Sequence, residues 1–240
     1  MKKMTTRDHV LSVLEHNKGK YVTGTALAYE LKVSRNAIWK AINSLKEDGY
    51  SIESVNNKGY CLDTSNDRVS VIAIKEALTD ICDKNDVERI IDSIIVFDSL
   101  ESTNLTAKLE LITGSMNKKI IIARKQTAGV GHGSKVFDSP EGGIYMSIII
   151  DDLQAGKTLS SSFIGNTVKN IIEKLSGQTA VLDKKYNRIS IGNKKVCGIL
   201  TEYFADLETN TINGYIIGIG IKNIDIPKNE LIARIVNQLK

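Results

Sequence analysis

The stretch TGTALAYELKVSRNAIWKAINSLKEDGYSIESVNNKGYCL, residues 23–62, decides the reading of this chain. Thr23 can cap a short helix over 24–31, Lys32-Val33 makes a tight turn, and Ser34 caps a second helix running to about Asp48. On the second helix Ile38, Ala41, Ile42 and Leu45 recur at spacings of three and four, so they share one apolar face. The opposite face carries Asn36, Lys40 and Asn43, with Arg35 and Trp39 at its margins. These side chains can donate to base edges and phosphates. From Tyr50 to Leu62 apolar and polar residues alternate loosely around Asn56-Asn57-Lys58-Gly59, the pattern of a β-hairpin wing. Residues 23–62 thus predict a winged helix-turn-helix, a DNA-binding device.

Charge points the same way. Residues 1–62 hold ten Lys/Arg against six Asp/Glu, whereas the rest of the chain holds twenty-two of each. The whole formal charge of +4 therefore sits in the first quarter, where it can attract phosphate.

The 240 residues suffice for one small and one medium domain, and a hydrophobic content of 42% with 25% charged residues is ordinary for a globular protein. No apolar run approaches the roughly 20 residues that span a bilayer, and the basic start has no apolar segment behind it, so no membrane partner or signal peptide is expected. Cys61, Cys82 and Cys197 are too few and too scattered for a disulfide framework, and they form no metal-ligand spacing with His9, His16 or His132. A reduced, cytoplasmic protein without a metal site is expected.

Asp63 to Asp67 is a short polar boundary, giving a division into residues 1–65 and 66–240. Beyond it the pattern predicts a helix over 71–82, strands near 94–97, 120–123 and 143–150, and helices over 104–112, 160–175 and 228–239. Further strands follow near 179–182, 189–191, 195–204 and 211–221. This is an α+β domain with a mixed, largely antiparallel sheet. Two segments stand out chemically. Glu101-Ser102-Thr103-Asn104 places small polar groups between a strand and a helix, where they can cap the helix or bind a ligand. Gln126 to Lys135 places Gly129, Gly131 and Gly133 at alternate positions, where the backbone can approach a bound molecule or simply form a surface loop.

The order of these motifs resembles the bifunctional biotin protein ligase/biotin operon repressor family over nearly the whole chain. Ser34 to Lys40 and Lys58-Gly59-Tyr60 are similar to that family's DNA-binding domain. Phe97-Asp98 with Ser102-Thr103-Asn104 resembles the segment that holds the biotin ring, and Gln126-Thr127-Ala128-Gly129 resembles the start of the ligand loop. Ser139-Pro140 and Gly142 to Ser147 are similar to the strand after that loop, Lys195 to Glu202 to the segment with the active-site lysine, and Gly218 to Ile221 to a strand near the end of the catalytic domain. The resemblance implies ligand contacts from Ser102, Thr103, Asn104, Gln126, Gly129, Gly131, Tyr145, Lys195 and Gly198. It also implies a homodimer, formed through the sheet of the second domain.

The departures from the family pattern bear on activity. Where ligases carry a loop of the form G-R-G-R-x-G-R, whose arginines hold phosphate, this chain reads Gly129-Val130-Gly131-His132-Gly133-Ser134-Lys135. Lysine and histidine cannot copy the bidentate fork of arginine. The family's Lys-Trp-Pro-Asn-Asp motif stands here as Lys184-Lys185-Tyr186-Asn187-Arg188, Phe137 replaces a tryptophan, and Lys222 replaces an asparagine. With the closing helix at 228–239, the small C-terminal β-barrel of full ligases is not expected.

The expectation is a DNA-binding transcriptional regulator, a repressor, whose ligase-like domain binds biotin or a related small molecule and couples it to dimerisation on a double-stranded operator. Ser34 and Lys58 are assigned to phosphates, and Arg35, Asn36, Lys40 and Asn43 to the major groove. The alternative is a bifunctional ligase that forms biotinyl-adenylate with ATP and Mg, using Lys195, and passes biotin to a carboxyl-carrier protein.

Overall fold

The structure, a computed structural model, describes residues 4–114, 116, 118–150, 159–206, 211–222 and 224–239. The N-terminal part is built from helices α1 (Thr6–His16), α2 (Gly24–Leu31) and α3 (Arg35–Glu47) and a hairpin of β1 (Ile52–Val55) and β2 (Gly59–Leu62). Thr23 and Ser34 cap α2 and α3 by accepting from the backbone N–H three residues on, each at 3.1 Å. Lys32, in the left-handed region at φ 53°, turns the chain between them. Ile38, Ala41, Ile42 and Leu45 are buried with Leu27, Ile52 and Leu62. Helix α1 is not among the elements expected above. A reciprocal capping box between Thr5 and Asp8 starts it, and its Val10, Leu11 and Leu14 complete the same core.

The remainder folds as α4 (Val71–Thr79), α5 (Lys84–Ser93), β3 (Ile94–Phe97), α6 (Thr103–Thr113), β4 (Ile120–Ala123), β5 (Ile144–Ile150), α7 (Ser161–Ser176), β6 (Ala180–Asp183), β7 (Arg188–Ile191), β8 (Lys194–Asp206), β9 (Thr211–Ile221) and α8 (Lys228–Leu239). Helix α4 stops at Thr79, before the expected end, and α5 was not anticipated. Asp83 caps it by accepting from Asp86 N at 3.0 Å, and Val87 and Ile90 bury its inner face. The strands form one sheet in the order β3-β4-β5-β9-β8-β7-β6, parallel only between β3 and β4. The domain is therefore α+β with a mixed, largely antiparallel sheet.

Alternation along β5 and β9 gives this sheet two unlike faces. Ile144, Met146, Ile148 and Ile150 join Ile217, Ile219 and Ile221 in the main core with α7 and α8. Tyr145, Ser147 and Ile149 point the other way. Cross-strand rows on that second face run Tyr145–Gly220–Gly198 and Ser147–Gly218–Leu200. Helix α6 packs on this face where Ile149 and Ile216 meet Ala107, and its first residues, Thr103 and Asn104, lie over Ser147 and Gly218. Beyond them Gly198 and Gly220 continue the face without side chains.

The connecting segment is anchored at both ends. The Asp67 carboxylate accepts from Lys228 N at 2.8 Å, capping α8, and Asn66 Oδ1 accepts from Ser51 N at 3.1 Å. Glu76 of α4 faces α1, with His16 Nδ1 at 3.5 Å.

Candidate ligand cleft and nucleic-acid interface

The cleft, about 60 Å³ in volume, opens where the N-terminus of α6 and the loop after β4 meet the glycine end of the sheet. Its lining includes Ser102, Thr103 and Asn104 from the start of α6, Gln126, Gly131 and Phe137 from the loop, and Lys195, Gly198 and Gly218 from β8 and β9. Seven of the nine residues assigned above to ligand contacts are thus brought to one surface. Gly129 and Tyr145 do not line it. Gly129 lies under the loop, its carbonyl accepting from Phe137 N at 2.8 Å. Tyr145 is buried, and its hydroxyl donates to Pro140 O at 2.8 Å.

Hydrogen bonds hold the loop to the turn before α6. Thr127 N donates to Leu100 O at 2.9 Å and Ala128 N to Glu101 O at 2.9 Å. Gln126 Oε1 accepts from Thr103 N at 2.7 Å, while Gln126 Nε2 donates to Ser139 Oγ at 2.9 Å. Ser102 Oγ caps α6 by accepting from Leu105 N at 3.4 Å. Asn104 lies across the backbone of β9: a Cβ at Gly218 would come within 2.3 Å of its Oδ1. That oxygen accepts from Ser147 Oγ at 2.6 Å, and Asn104 Nδ2 donates to Glu202 Oε2 at 2.6 Å. Sequence reasoning missed Ser147, Glu202 and Ser139 as members of this network. Ser147 on β5 and Glu202 on β8 alternate onto the same sheet face as Gly218, which was the available signal for those two, while Ser139 lies in the segment before β5 and carried none.

Phe137 fills the middle of the cleft. Its ring rests on the paired Gly198 and Gly220, where added Cβ atoms would approach it to 2.8 and 2.5 Å. Lys195 Nζ lies 5.1 Å and Lys222 Nζ 5.4 Å from the ring centroid, so two ammonium groups approach one aromatic ring. Lys222 is committed to Asp138 at 2.7 Å. Arg188 pairs with Asp183 at 3.0 Å and stacks on Tyr186. Lys195 is consequently the only fixed cation among the lining residues. Burial holds its pKa below the ordinary lysine value, with Arg188 and Lys222 adding repulsion and the neighbouring Cys197 acting in the opposite sense. Burial also pushes the Cys197 thiol up to about 12.

On the N-terminal part, Arg35, Asn36 and Lys40 are exposed along α3 and Asn43 is half-buried. Ser34 stands exposed at the start of this helix. Lys58 sits at the tip of the wing, its Nζ 5.7 Å from the Tyr21 ring centroid. Lys46 Nζ donates to Ser54 Oγ at 2.8 Å, tying α3 to the wing. Among the described residues no group of three or more His, Cys, Asp or Glu could hold a metal ion, and no helix is long and apolar enough to cross a membrane.

A winged helix-turn-helix joined to an α+β domain with a polar cleft at one sheet end defines a DNA-binding fold fused to a ligase-type domain. The chain belongs to the biotin/lipoate A/B protein ligase family, whose profile matches residues 96–222, and residues 6–61 match an HTH domain. It is 33% identical over 230 residues to the bifunctional ligase/repressor BirA of Bacillus subtilis (strain 168), covering 94% of this chain and 67% of that one. The bifunctional ligase/repressor BirA of Bacillus spizizenii (strain ATCC 23059 / NRRL B-14472 / W23) is 34% identical over 221 residues, covering 90% and 65%. That of Escherichia coli (strain K12) is 28% identical over 206 residues, covering 85% and 60%. The chain thus spans about two thirds of the length of the curated relatives it matches.

Proposed function

We propose that this chain is a ligand-responsive transcriptional repressor. Residues 1–65 form its DNA-binding module, and residues 66–240 its ligand-binding and dimerisation domain. The observation that carries this reading is the electrostatic poverty of the cleft: Val130, His132, Phe137 and Tyr186 line it beside a single fixed cation, Lys195. Activating a carboxylate with a nucleoside triphosphate builds negative charge between two anionic substrates. Each preorganised donor for such charge is worth about 3 kcal/mol, a hundredfold or more in rate. One lysine cannot supply what several guanidinium groups would. It is, however, well placed to hold one carboxylate of a small molecule whose polar ring meets Ser102, Thr103, Asn104 and Gln126. Biotin has that chemistry and is the first candidate effector.

The effector acts by binding better to one of two states, here the dimer that fits a palindromic operator. In that complex Ser34 and Lys58 meet phosphates, and Arg35, Asn36, Lys40 and Asn43 face the major groove. Sedimentation and operator-binding assays with and without biotin test the coupling. Identical oligomeric state and identical operator affinity in both would refute it.

A second reading rests on the relatives, which are named as ligase and repressor at once, and on the presence of Lys195 in the cleft. It makes the chain an ATP-dependent biotin ligase acting on a carboxyl-carrier protein. Incubation with ATP, Mg, biotin and a carrier domain decides between the two, since transfer of label to the carrier at an enzymatic rate is incompatible with a regulator alone.

A further inference from the structure

Asn104 lies flat against β9, and its amide could be seated in either of two orientations of nearly equal shape, exchanging donor for acceptor. Ser147, 2.6 Å from Oδ1, does not choose between them, because a hydroxyl both donates and accepts. A carboxylate accepts only. Glu202 Oε2 stands 2.6 Å from Asn104 Nδ2, so the amide nitrogen must face it. The other carboxylate oxygen, Oε1, accepts from Lys108 Nζ at 2.6 Å. Lys108 is four residues beyond Asn104 on α6, so one carboxylate of β8 grips two successive turns of the helix that forms the cleft wall.

We infer that Glu202 is a positioning residue that fixes which end of the Asn104 amide is donor and which acceptor, and that Lys108 holds Glu202 in place. The inference rests on the reading of this cleft as the effector site and adds to it the group that sets its hydrogen-bond pattern. Neither Glu202 nor Lys108 lines the cleft, so the influence passes through Asn104. A ligand whose donor and acceptor groups match the fixed amide is favoured, and one with the reverse pattern is left with unpaired polar atoms.

The isosteric variant Glu202→Gln tests this, since a glutamine amide can meet either orientation of Asn104. In the unliganded, ¹⁵N-labelled chain the Asn104 side-chain amide, assigned by its loss in Asn104→Ala, should show one exchange-protected proton. Glu202→Gln and Lys108→Met should both reduce that protection; an unchanged signal in Glu202→Gln overturns the inference. Biotin titration of the wild type, Glu202→Gln, Asn104→Ala and the double variant supplies the second arm. Glu202→Gln should weaken binding roughly tenfold in the wild-type background and have no further effect once Asn104 is alanine. Equal losses in both backgrounds would show that Glu202 acts by another route and overturn the inference. If the wild type takes up no biotin, the effector assignment fails, and the amide signal alone decides the role of Glu202.

Discussion

Asn104 can sit against the sheet because position 218 has no side chain. Restoring a methyl group there is a direct perturbation of the cleft: in Gly218→Ala the new Cβ would lie 2.3 Å from Asn104 Oδ1, and the amide must swing away. The strand itself is held on both sides by β5 and β8, so the backbone cannot yield instead. A loss of stability of about 1–2 kcal/mol is expected in denaturant unfolding, typical of mild overpacking, with a much larger relative loss of biotin affinity by calorimetry. Undiminished affinity would mean that Asn104 is not a ligand contact. Lys195 gives a prediction in pH. Its pKa is lowered chiefly by burial, so it loses its proton at a lower pH than an ordinary lysine at 10.5. Affinity for a carboxylate ligand should therefore begin to fall below pH 10.5 as pH rises, and Lys195→Ala should bind weakly with no such dependence. The sign follows from the charge: only the ammonium attracts the carboxylate, and burial favours the neutral amine. The same crowding makes Cys197 an inert thiol. Labelling the native protein with a thiol reagent near neutral pH should spare Cys197, pushed up to about 12, and reach the half-buried Cys82 first.

Helix α3 joins a cap, a buried stripe and an exposed polar face within thirteen residues. Ser34→Ala removes the acceptor for Ala37 N and should cost about 1 kcal/mol of stability, measured by chemical denaturation. Lys40→Ala should leave the melt unchanged and weaken operator binding, whereas the phosphate contact assigned to Lys58 predicts that Lys58→Ala lowers the salt dependence of binding by about one counterion. Asn43→Ala should relax discrimination among operator variants instead. Both α2 and α3 were legible in the chain because caps and apolar spacing agree there. Helix α1 was overlooked although Thr5, Asp8 and Val10-Leu11-Leu14 carry the same signs. Its polar residues outnumber its apolar ones, and only packing against α3 and α4 shows which side is inner. Helix α5 was hidden in the same way, by a charged segment that reads as an extension of the preceding loop. In α6 the legible part was Ser102-Thr103-Asn104. Lys108, one turn on, carries no local signal of its role, because its partner Glu202 stands opposite it only in the folded chain.

At the junction of the two parts, Glu15 of α1 is buried beside Lys18, at 3.7 Å, with Glu76 and Asp67 near it. Burial raises its pKa above 4.5, with Lys18 opposing and Glu76 and Asp67 reinforcing. The folded state thus prefers the protonated form, and the cost of the buried charge is present above the raised pKa and released as pH falls through it. Glu15→Gln should accordingly stabilise the chain by about 1 kcal/mol at neutral pH, with the advantage shrinking toward pH 4.5 in thermal melts. A destabilised variant would show instead that the pair with Lys18 outweighs its desolvation. The two parts meet here through Glu76 and the Asn66–Asp67 segment.

Taken alone, the order of residues determined the winged helix-turn-helix, the α+β class of the second part, and the loop and turn that meet at the cleft. These follow from local signals, caps, periodicity and small-residue motifs, which a chain carries wherever it is folded. What it could not determine was which strands become neighbours, since that depends on contacts between positions far apart in the chain. Pairing β5 with β9 and β9 with β8 set Ser147, Gly218 and Gly198 on one face. It also brought Glu202 to Asn104, 98 residues away, and set Lys195 and Lys222 beside the Phe137 ring. Hydrogen-bond direction and cation placement in the cleft are consequences of that pairing, and only the folded chain could decide them.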